Sequence, residues 1–107
     1  MTDRELLEAA AKAAGLTIEY WAQDDYPVVR DGAANVGWSP LTFDSDALRL
    51  AVKLDMIVSV GRVEFGDFDT WEDSIDMPEA DVRLDPYAAT RRAIVRAAAA
   101  IAQEKTP

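Results

Sequence analysis

The stretch at residues 85–103, DPYAATRRAIVRAAAAIAQ, opens with a strong helix-start signal and carries a run of alanines. Asp85 is suited to cap the helix, and Pro86 fits the first helical position because its missing N–H would have no partner there. The side of this helix that we expect to be buried carries Tyr87, Ile94, Val95, Ala98, Ile101 and Ala102. The sequence therefore predicts a long final helix whose small side chains allow a sheet or another helix to approach closely.

The sequence also predicts a helix at 45–55 that leads directly into a strand at 56–60. Asp44 or Ser45 is expected to cap this helix. Its predicted buried face consists of Ala47, Leu48, Ala51, Val52 and Leu54. RVEF at 62–65 alternates apolar and charged residues, as strands with one buried face do. It either continues the preceding strand or forms the second arm of a hairpin.

The first residues of the chain predict a capped amphipathic helix at 2–14. Thr2 and Glu5 have the spacing of a capping box, in which each side chain accepts a hydrogen bond from a free N–H of the first turn. An apolar stripe follows at helical spacing, formed by Leu6, Leu7, Ala10, Ala11 and Ala14. Gly15 is then expected to end the helix, because glycine readily adopts the left-handed conformation of a helix C-terminus.

These elements together predict one α+β domain over residues 1–107. We expect a small, mainly antiparallel sheet packed by about three helices, in an α/β/α sandwich-like arrangement with helices on both faces. TIEYW at 17–21 is a predicted strand, and a hairpin is predicted across 27–37. DVRL at 81–84 is a candidate for a further strand. A chain of this length has room for one modest core.

One segment resembles small phage and prophage proteins of the phage ABA (α/β/α) sandwich domain family. The features that carry the resemblance lie in VGWSPLTFDSDALRLAVKLDMIVSV at 36–60 and in the last helix. In the first segment they are Trp38-Ser39-Pro40, Asp44, Asp46 and the Ala-Leu-rich helix that leads into a strand. In the last helix the feature is Arg92-Ala93-Ile94 before the alanine run. The resemblance covers about residues 36–103. It implies a phage origin and a layered α+β fold, and it implies no activity for any residue.

The Trp-Ser-Pro step also has a physical reading of its own. Pro40 forces Ser39 into an extended conformation, so Trp38 is able to lay its ring over the start of the next helix. Trp38 is then either part of a structural corner or an exposed aromatic anchor for a partner.

Composition excludes several classes of function. The chain carries 20 acidic and 11 basic residues, for a net charge of −9, and such a surface disfavours direct binding to nucleic acid or to anionic membranes. It has no His and no Cys, which rules out Ser-His-Asp and Cys-His mechanisms and typical zinc sites. Carboxylate chemistry, a Lys or Tyr base, or an oxygen-ligated metal remain. A polar N-terminus and the lack of a long apolar run argue against a signal peptide and a membrane span, and the phage origin that the resemblance implies makes the host cytoplasm the expected compartment.

The stretch EFGDFDTWEDSIDMPEAD at 64–81 carries eight acidic side chains and no basic one. A calcium loop starting at Asp67 fails, because Trp71 and Glu72 fall where an oxygen ligand and a glycine are needed. A looser metal site remains open, with ligands from Asp67, Asp69, Asp73 and Asp76. A carboxylate-pair glycosidase needs a sugar cleft, for which a domain of this size has little room. A magnesium nuclease would also need basic residues to hold the phosphate.

Two other readings of this stretch stay open. It is either a solvated loop with Phe68 and Trp71 tucked on the core, or an interface in which apolar anchors give affinity and acids give steering. Long loops without structure of their own are uncommon in compact domains, which favours function. The predicted binding face consists of Asp67, Asp69, Trp71, Glu72, Asp73, Asp76 and Glu79.

The sequence therefore predicts a small acidic phage or prophage accessory protein that acts by binding protein, with no catalytic residue, metal or cofactor. The expected partner is a basic nucleic-acid-binding protein or defence complex of the host, inhibited through the acidic surface. The alternatives are a metal-assisted or carboxylate-based enzyme, or a virion or assembly component whose last helix packs against a copy of itself. The sequence leaves open whether the chain forms a homo-oligomer.

Overall fold

Four helices and six short strands make up the part of the chain described in a computed structural model, residues 1–20, 27–31, 34–66 and 72–105. In chain order they are α1 (Asp3–Ala13), β1 (Ile18–Tyr20), β2 (Pro27–Asp31), β3 (Ala34–Gly37), α2 (Asp44–Lys53), β4 (Ile57–Ser59), β5 (Arg62–Phe65), β6 (Asp73–Asp76), α3 (Glu79–Leu84) and α4 (Pro86–Lys105). The predicted α+β class with antiparallel pairing is confirmed. Among the described helices, none has the length and apolar character needed to cross a membrane.

Helix α4 is the element on which most of the others pack. It contacts α1, α2, α3 and all three strands β4, β5 and β6. Ala93, Ala97 and Ala98 are fully buried, so the alanine run does allow the close approach that the sequence predicts. Two neighbouring arginines tie α4 to other helices. Arg91 binds Asp44 at the start of α2 (2.7 Å), and Arg92 binds Asp3 at the start of α1 (2.9 Å).

The strands form two three-stranded antiparallel sheets, where the sequence predicted one. The first sheet has the order β1-β2-β3, and the predicted hairpin at 27–37 is its β2–β3 pair. The second sheet has the order β4-β5-β6. Helix α2 separates them, because it lines a small cavity with Val29 of the first sheet on one side and a groove with β4 on the other.

The second sheet packs on α4 with one face only. Val63 and Phe65 of β5 are buried, while Arg62 and Glu64 point to the other face, as the alternation of RVEF predicts. Val63 lies between Val58 of β4 and Ile75 of β6 in the pairing register. Cross-strand neighbours share a face, so these valine and isoleucine side chains form the apolar face of the sheet. RVEF is thus the second arm of a hairpin.

The prediction of a strand at 81–84 is wrong, because these residues belong to helix α3. Pro78 precedes the helix, and its carbonyl accepts hydrogen bonds from the N–H groups of Asp81 (3.0 Å) and Val82 (3.1 Å). These local bonds close the first helical turn before a strand partner is reached. DVRL alternates apolar and polar residues over too short a span to distinguish the two structures.

The predicted buried face of α2 is partly wrong. Ala47 and Ala51 are buried as expected, but Leu50 is the buried leucine, and Leu48 and Val52 are exposed. The apolar residues of α2 cover most of its circumference, so its sequence fits more than one buried stripe. Packing against α4 determines which stripe is buried.

The predicted cap of α2 is also wrong. The N-cap residue is Phe43, and it makes no side-chain cap bond. Asp46 instead accepts a hydrogen bond from the N–H of Ser39 (2.9 Å), which fixes the Trp-Ser-Pro step to the helix. Trp38 is 7% exposed, so it belongs to a structural corner and not to a surface anchor.

Helix α1 begins and ends as the sequence predicts. The hydroxyl of Thr2 accepts from the N–H of Glu5 (3.2 Å), and the Glu5 carboxylate accepts from the N–H of Thr2 (3.1 Å). The bond from the Thr2 N–H to the carboxylate, and after it a contact from the Thr2 hydroxyl, lower the pKa of Glu5, because they favour its charged form. At the other end Gly15 has a φ of 73°, and the N–H of Leu16 bonds the carbonyl of Ala11 (2.8 Å) in a Schellman turn.

The contact between Asp3 and Arg92 predicts a small loss of stability in acid. The hydrogen bond from Arg92 lowers the pKa of Asp3, so the stabilisation is present above the unfolded pKa and is lost as the pH falls through the lower folded pKa. Because Asp3 is largely exposed, we expect at most about 0.2–1 kcal/mol. Urea unfolding of wild type and Asp3→Asn measures this contribution. The difference between their free energies of unfolding should shrink as the pH falls from about 6 to about 3. A difference that does not change with pH would contradict this.

Candidate protein-binding surfaces

An apolar groove with a volume of about 510 Å³ lies between α2 and β4. One wall is α2, through Asp44, Ala47, Leu48 and Ala51, and the other is the edge strand β4 with the turn that follows it, through Val58, Ser59 and Val60. The floor is the first half of α4, which contributes Pro86, Tyr87, Thr90, Arg91 and Ile94. The groove therefore forms where α2, β4 and α4 meet.

A tight turn after α2 produces this groove. Asp55 adopts the left-handed conformation with a φ of 55°, and the N–H of Met56 bonds the carbonyl of Ala51 (3.0 Å). This is again a Schellman turn, here with an aspartate in the position that usually holds glycine. The chain reverses at once into β4, so helix and strand both lie on α4 with a gap between them.

Two polar residues of the groove, Thr90 and Arg91, already have partners within the chain. Arg91 donates to the carbonyl of Leu41 (3.0 Å) as well as to Asp44. The hydroxyl of Thr90 donates to the carbonyl of Pro86 (2.7 Å) and accepts from the N–H of Gly61 (2.9 Å). An occupant of the groove therefore gains little by offering polar groups to these residues. Most of the other side chains of the lining are apolar, so they favour an apolar contact.

Large apolar side chains around the groove are exposed to solvent. Leu48 is 64% exposed and Tyr87 is 70% exposed, and both were predicted to face the core. Val58 and Val60 on the opposite wall are exposed as well. Apolar side chains that cluster on a protein surface are typical of interaction sites, whereas single ones are not. We therefore take the groove as a candidate binding surface.

The two edges of the second sheet differ in character. Edge strand β4 reads Ile57-Val58-Ser59 and carries no charge. Edge strand β6 reads Asp73-Ser74-Ile75-Asp76, and its two carboxylates are exposed. Charged side chains protect a sheet edge from pairing with another chain, so β6 has this protection and β4 lacks it. The uncharged edge is the one that borders the groove.

The acidic stretch at 64–81 contains regular structure. It includes β6 and the first half of α3, so it is not one continuous loop. Glu72, Asp73, Asp76 and Glu79 of the predicted binding face are exposed. Asp67, Asp69 and Trp71 of that face, and Phe68, lie outside the described residues. Ile75 and Met77 turn toward the core, so the described apolar residues of this stretch are not surface anchors.

Arginines neutralise part of this acidic edge. Arg62 binds Asp76 (2.6 Å) and Glu64 (3.3 Å), and these contacts, that with Asp76 first, raise the pKa of Arg62. Arg83 binds Glu79 one helical turn away. Among the described residues of this stretch, the exposed carboxylates of Glu72, Asp73 and Asp81 form no ion pair with an arginine. Within residues 1–20, 27–31, 34–66 and 72–105, no cluster of three acidic side chains is arranged to hold a metal ion.

The buried alanines of the last helix pack against α1 and the core of the same chain. Self-association through this helix, one of the alternatives from the sequence, stays a prediction. The groove was not predicted. Its signal was the excess of apolar residues on α2, more than one buried stripe accommodates.

Comparison with family models, with curated proteins and with solved structures finds no match to this chain. The resemblance to phage sandwich proteins therefore stays a prediction.

Proposed function

We propose that this protein acts by binding other proteins, as a small accessory protein of a phage or prophage. The observation that supports binding is the contrast between the two edges of the second sheet, one acidic and one bare beside an apolar groove. The phage setting rests on the sequence resemblance at 36–103. In this setting the compartment is the cytoplasm of the host, and catalysis has no part in the proposal.

The acidic edge sets the charge of the proposed partner. Glu72, Asp73, Asp76, Glu79 and Asp81 are all exposed, and the chain as a whole carries a net charge of −9. Such a surface attracts a basic protein and repels nucleic acid, so it suits a host factor that normally grips nucleic acid. Occupying the basic surface of that factor would inhibit it.

The described part of this edge binds mainly through charge. Exposed ion pairs contribute about 0–1 kcal/mol each, and Arg62 and Arg83 already compete for two of the acids. A single acidic edge is therefore expected to bind a basic partner weakly and with strong dependence on salt. Tight binding needs either an additional contact or more than one edge.

Two charge reversals of equal size test the role of the acidic edge. Asp73→Lys alters the edge, whereas Glu8→Lys alters an exposed carboxylate on α1, and each changes the net charge by the same amount. Immobilised wild type, Asp73→Lys and Glu8→Lys are compared for the basic proteins they retain from a bacterial lysate at rising salt. We expect Asp73→Lys to retain several-fold less basic protein than the other two, and to release it at a lower salt concentration.

Equal retention by both reversed variants would mean that the overall charge, and not the edge, attracts the retained proteins. Retention that ignores salt would also contradict the proposal, since a contact made mainly by exposed charges weakens as ions screen it. Circular dichroism of both variants checks that neither substitution has unfolded the protein.

A further inference from the structure

We propose that the groove is the contact surface of a symmetric dimer, in which β4 of a second copy pairs antiparallel with β4. This inference rests on the proposed function only in treating the groove as a surface for protein contact. It concerns a different surface from the acidic edge, and its occupant is another copy of this chain.

The hydrogen-bonding register leaves the centre of β4 open. The carbonyl of Gly61 accepts from the N–H of Met77 (2.8 Å), so the backbone groups of Gly61 point toward β6. Two positions later, the backbone groups of Val63 point the same way. Backbone groups alternate in direction along a strand, so Arg62 and Glu64 face β4 and pair with Ser59 and Ile57. The N–H and C=O of Val58 therefore point to the open edge.

A two-fold axis beside Val58 satisfies these groups in both copies. Each Val58 would donate its N–H to the other and accept at its C=O, which is the closely spaced bond pair of an antiparallel ladder. Ile57 of one strand then lies opposite Ser59 of the other, and the uncharged strand meets an identical uncharged strand. A contact of this kind is complementary to itself, as a closed dimer interface requires.

The apolar faces of the two sheets become continuous in this arrangement. Directly opposed residues of an antiparallel pair lie on the same face, so the two Val58 side chains both lie on the face packed against α4. The copy's strand extends over the groove, where its Val58 and Val60 contact Leu48 and Tyr87. The exposed residues of both walls thereby become part of one shared core.

The exposed apolar side chains of the groove supply a large part of the area that a dimer needs. Four side chains that line it are at least two-fifths exposed: Leu48, Val58, Val60 and Tyr87. At roughly 100 Å² for a whole aliphatic side chain and roughly 200 Å² for tyrosine, they leave roughly 300 Å² of apolar surface in water. A standard interface buries about 800 Å² per partner, of which about 60% is apolar, or roughly 480 Å².

The net charge of −9 opposes association, but the acids of β6 lie away from the proposed contact, and Asp44 in the groove is paired with Arg91. The acidic strand β6 lies two strand spacings from β4, roughly 10 Å away, and the two acidic edges of a dimer lie roughly 24 Å apart. Both distances exceed the screening length of about 8 Å at physiological salt. Added salt should therefore strengthen the dimer, whereas it should weaken binding of a basic partner at the same groove. The dimer would present two acidic edges and so raise avidity for a basic partner.

Analytical ultracentrifugation of three proteins tests the proposal. Wild type is expected to form a species of about twice the 11.7 kDa chain mass as its concentration rises. Val60→Lys places a charge on the groove wall, and Leu84→Lys places the same charge on an equally apolar site, 87% exposed, on α3. We expect Val60→Lys to weaken dimerisation by about tenfold or more and Leu84→Lys to leave it unchanged. In the dimer, exchange of the Val58 amide hydrogen should slow, and Val60→Lys should abolish the slowing.

Three outcomes would overturn the dimer. Wild type that stays monomeric up to about 1 mM would have a dissociation constant too high for a meaningful dimer. A second copy would then be excluded as the occupant of the groove. A dimer that survives in Val60→Lys would place the contact elsewhere. Association that weakens with salt would indicate a charged contact or a basic occupant. None of these bears on the acidic edge, because the Asp73→Lys comparison uses neither the groove nor the dimer.

Discussion

Leu50→Ala is expected to lower the free energy of unfolding by about 2–5 kcal/mol, while Leu48→Ala on the same helix changes it by less than about 1 kcal/mol. Leu50 is 3% exposed in the cluster beneath α2, so its removal leaves a cavity. Leu48 lies on the groove wall and is mostly in water. The sequence pattern predicted the opposite, with Leu48 on the buried face.

Urea unfolding followed by circular dichroism measures both variants at equal concentration. The two substitutions remove the same atoms from the same helix, so helix propensity is matched and burial is the difference between them. If the groove holds a second copy, the effect of Leu48→Ala will grow with protein concentration, because dimerisation stabilises the folded state. Equal losses from both variants at low concentration would contradict the placement of α2.

Gly61→Ala is the second substitution with a large expected effect, a loss of about 2–3 kcal/mol. Gly61 closes the hairpin between β4 and β5 with a φ of 71°, a conformation that costs alanine about 1–2 kcal/mol. A methyl group there would also lie 2.5 Å from Cγ2 of Val82, so either the Val82 side chain or α3 as a whole would have to shift. The conformational and steric penalties act together at this one position.

Gly15→Ala separates these two contributions. Gly15 has nearly the same φ, 73°, but no atom lies within 4 Å of the methyl group that the substitution would add. It should therefore lose the conformational part alone. Val82→Ala in the Gly61→Ala background should recover part of the steric loss. Thermal unfolding of the four proteins tests this, and equal losses at both glycines would show that α3 yields without cost.

Much of the fold follows from local signals that tertiary packing does not override. The capping box of Thr2 and Glu5, the stop at Gly15 and the alternation of RVEF all depend on neighbours in the sequence, and each is confirmed. DVRL and α2 depend on which contacts are available in three dimensions. Their apolar residues fit two structures or two faces, and packing on α4 chooses between them.

The candidate surfaces were predicted to a different degree. The acidic edge was visible in the sequence because charge is a property of composition, and four of its predicted residues are exposed. The groove was not visible, because it depends on α2 and β4 lying apart on a shared support. Tyr87 and Leu48 illustrate the difficulty: apolar residues at helical spacing predict burial, and only their place in the fold shows that they face solvent.

The position of α4 also has a consequence for folding during synthesis. α1, α2 and β4–β6 are made before the helix at 86–105 on which they pack. Asp3 and Arg92, which join the first helix to this one, lie 89 residues apart. Early segments therefore leave the ribosome without the surface that would bury them, and contacts of such long range close slowly. The nascent chain is expected to stay open to chaperones and proteases until α4 emerges.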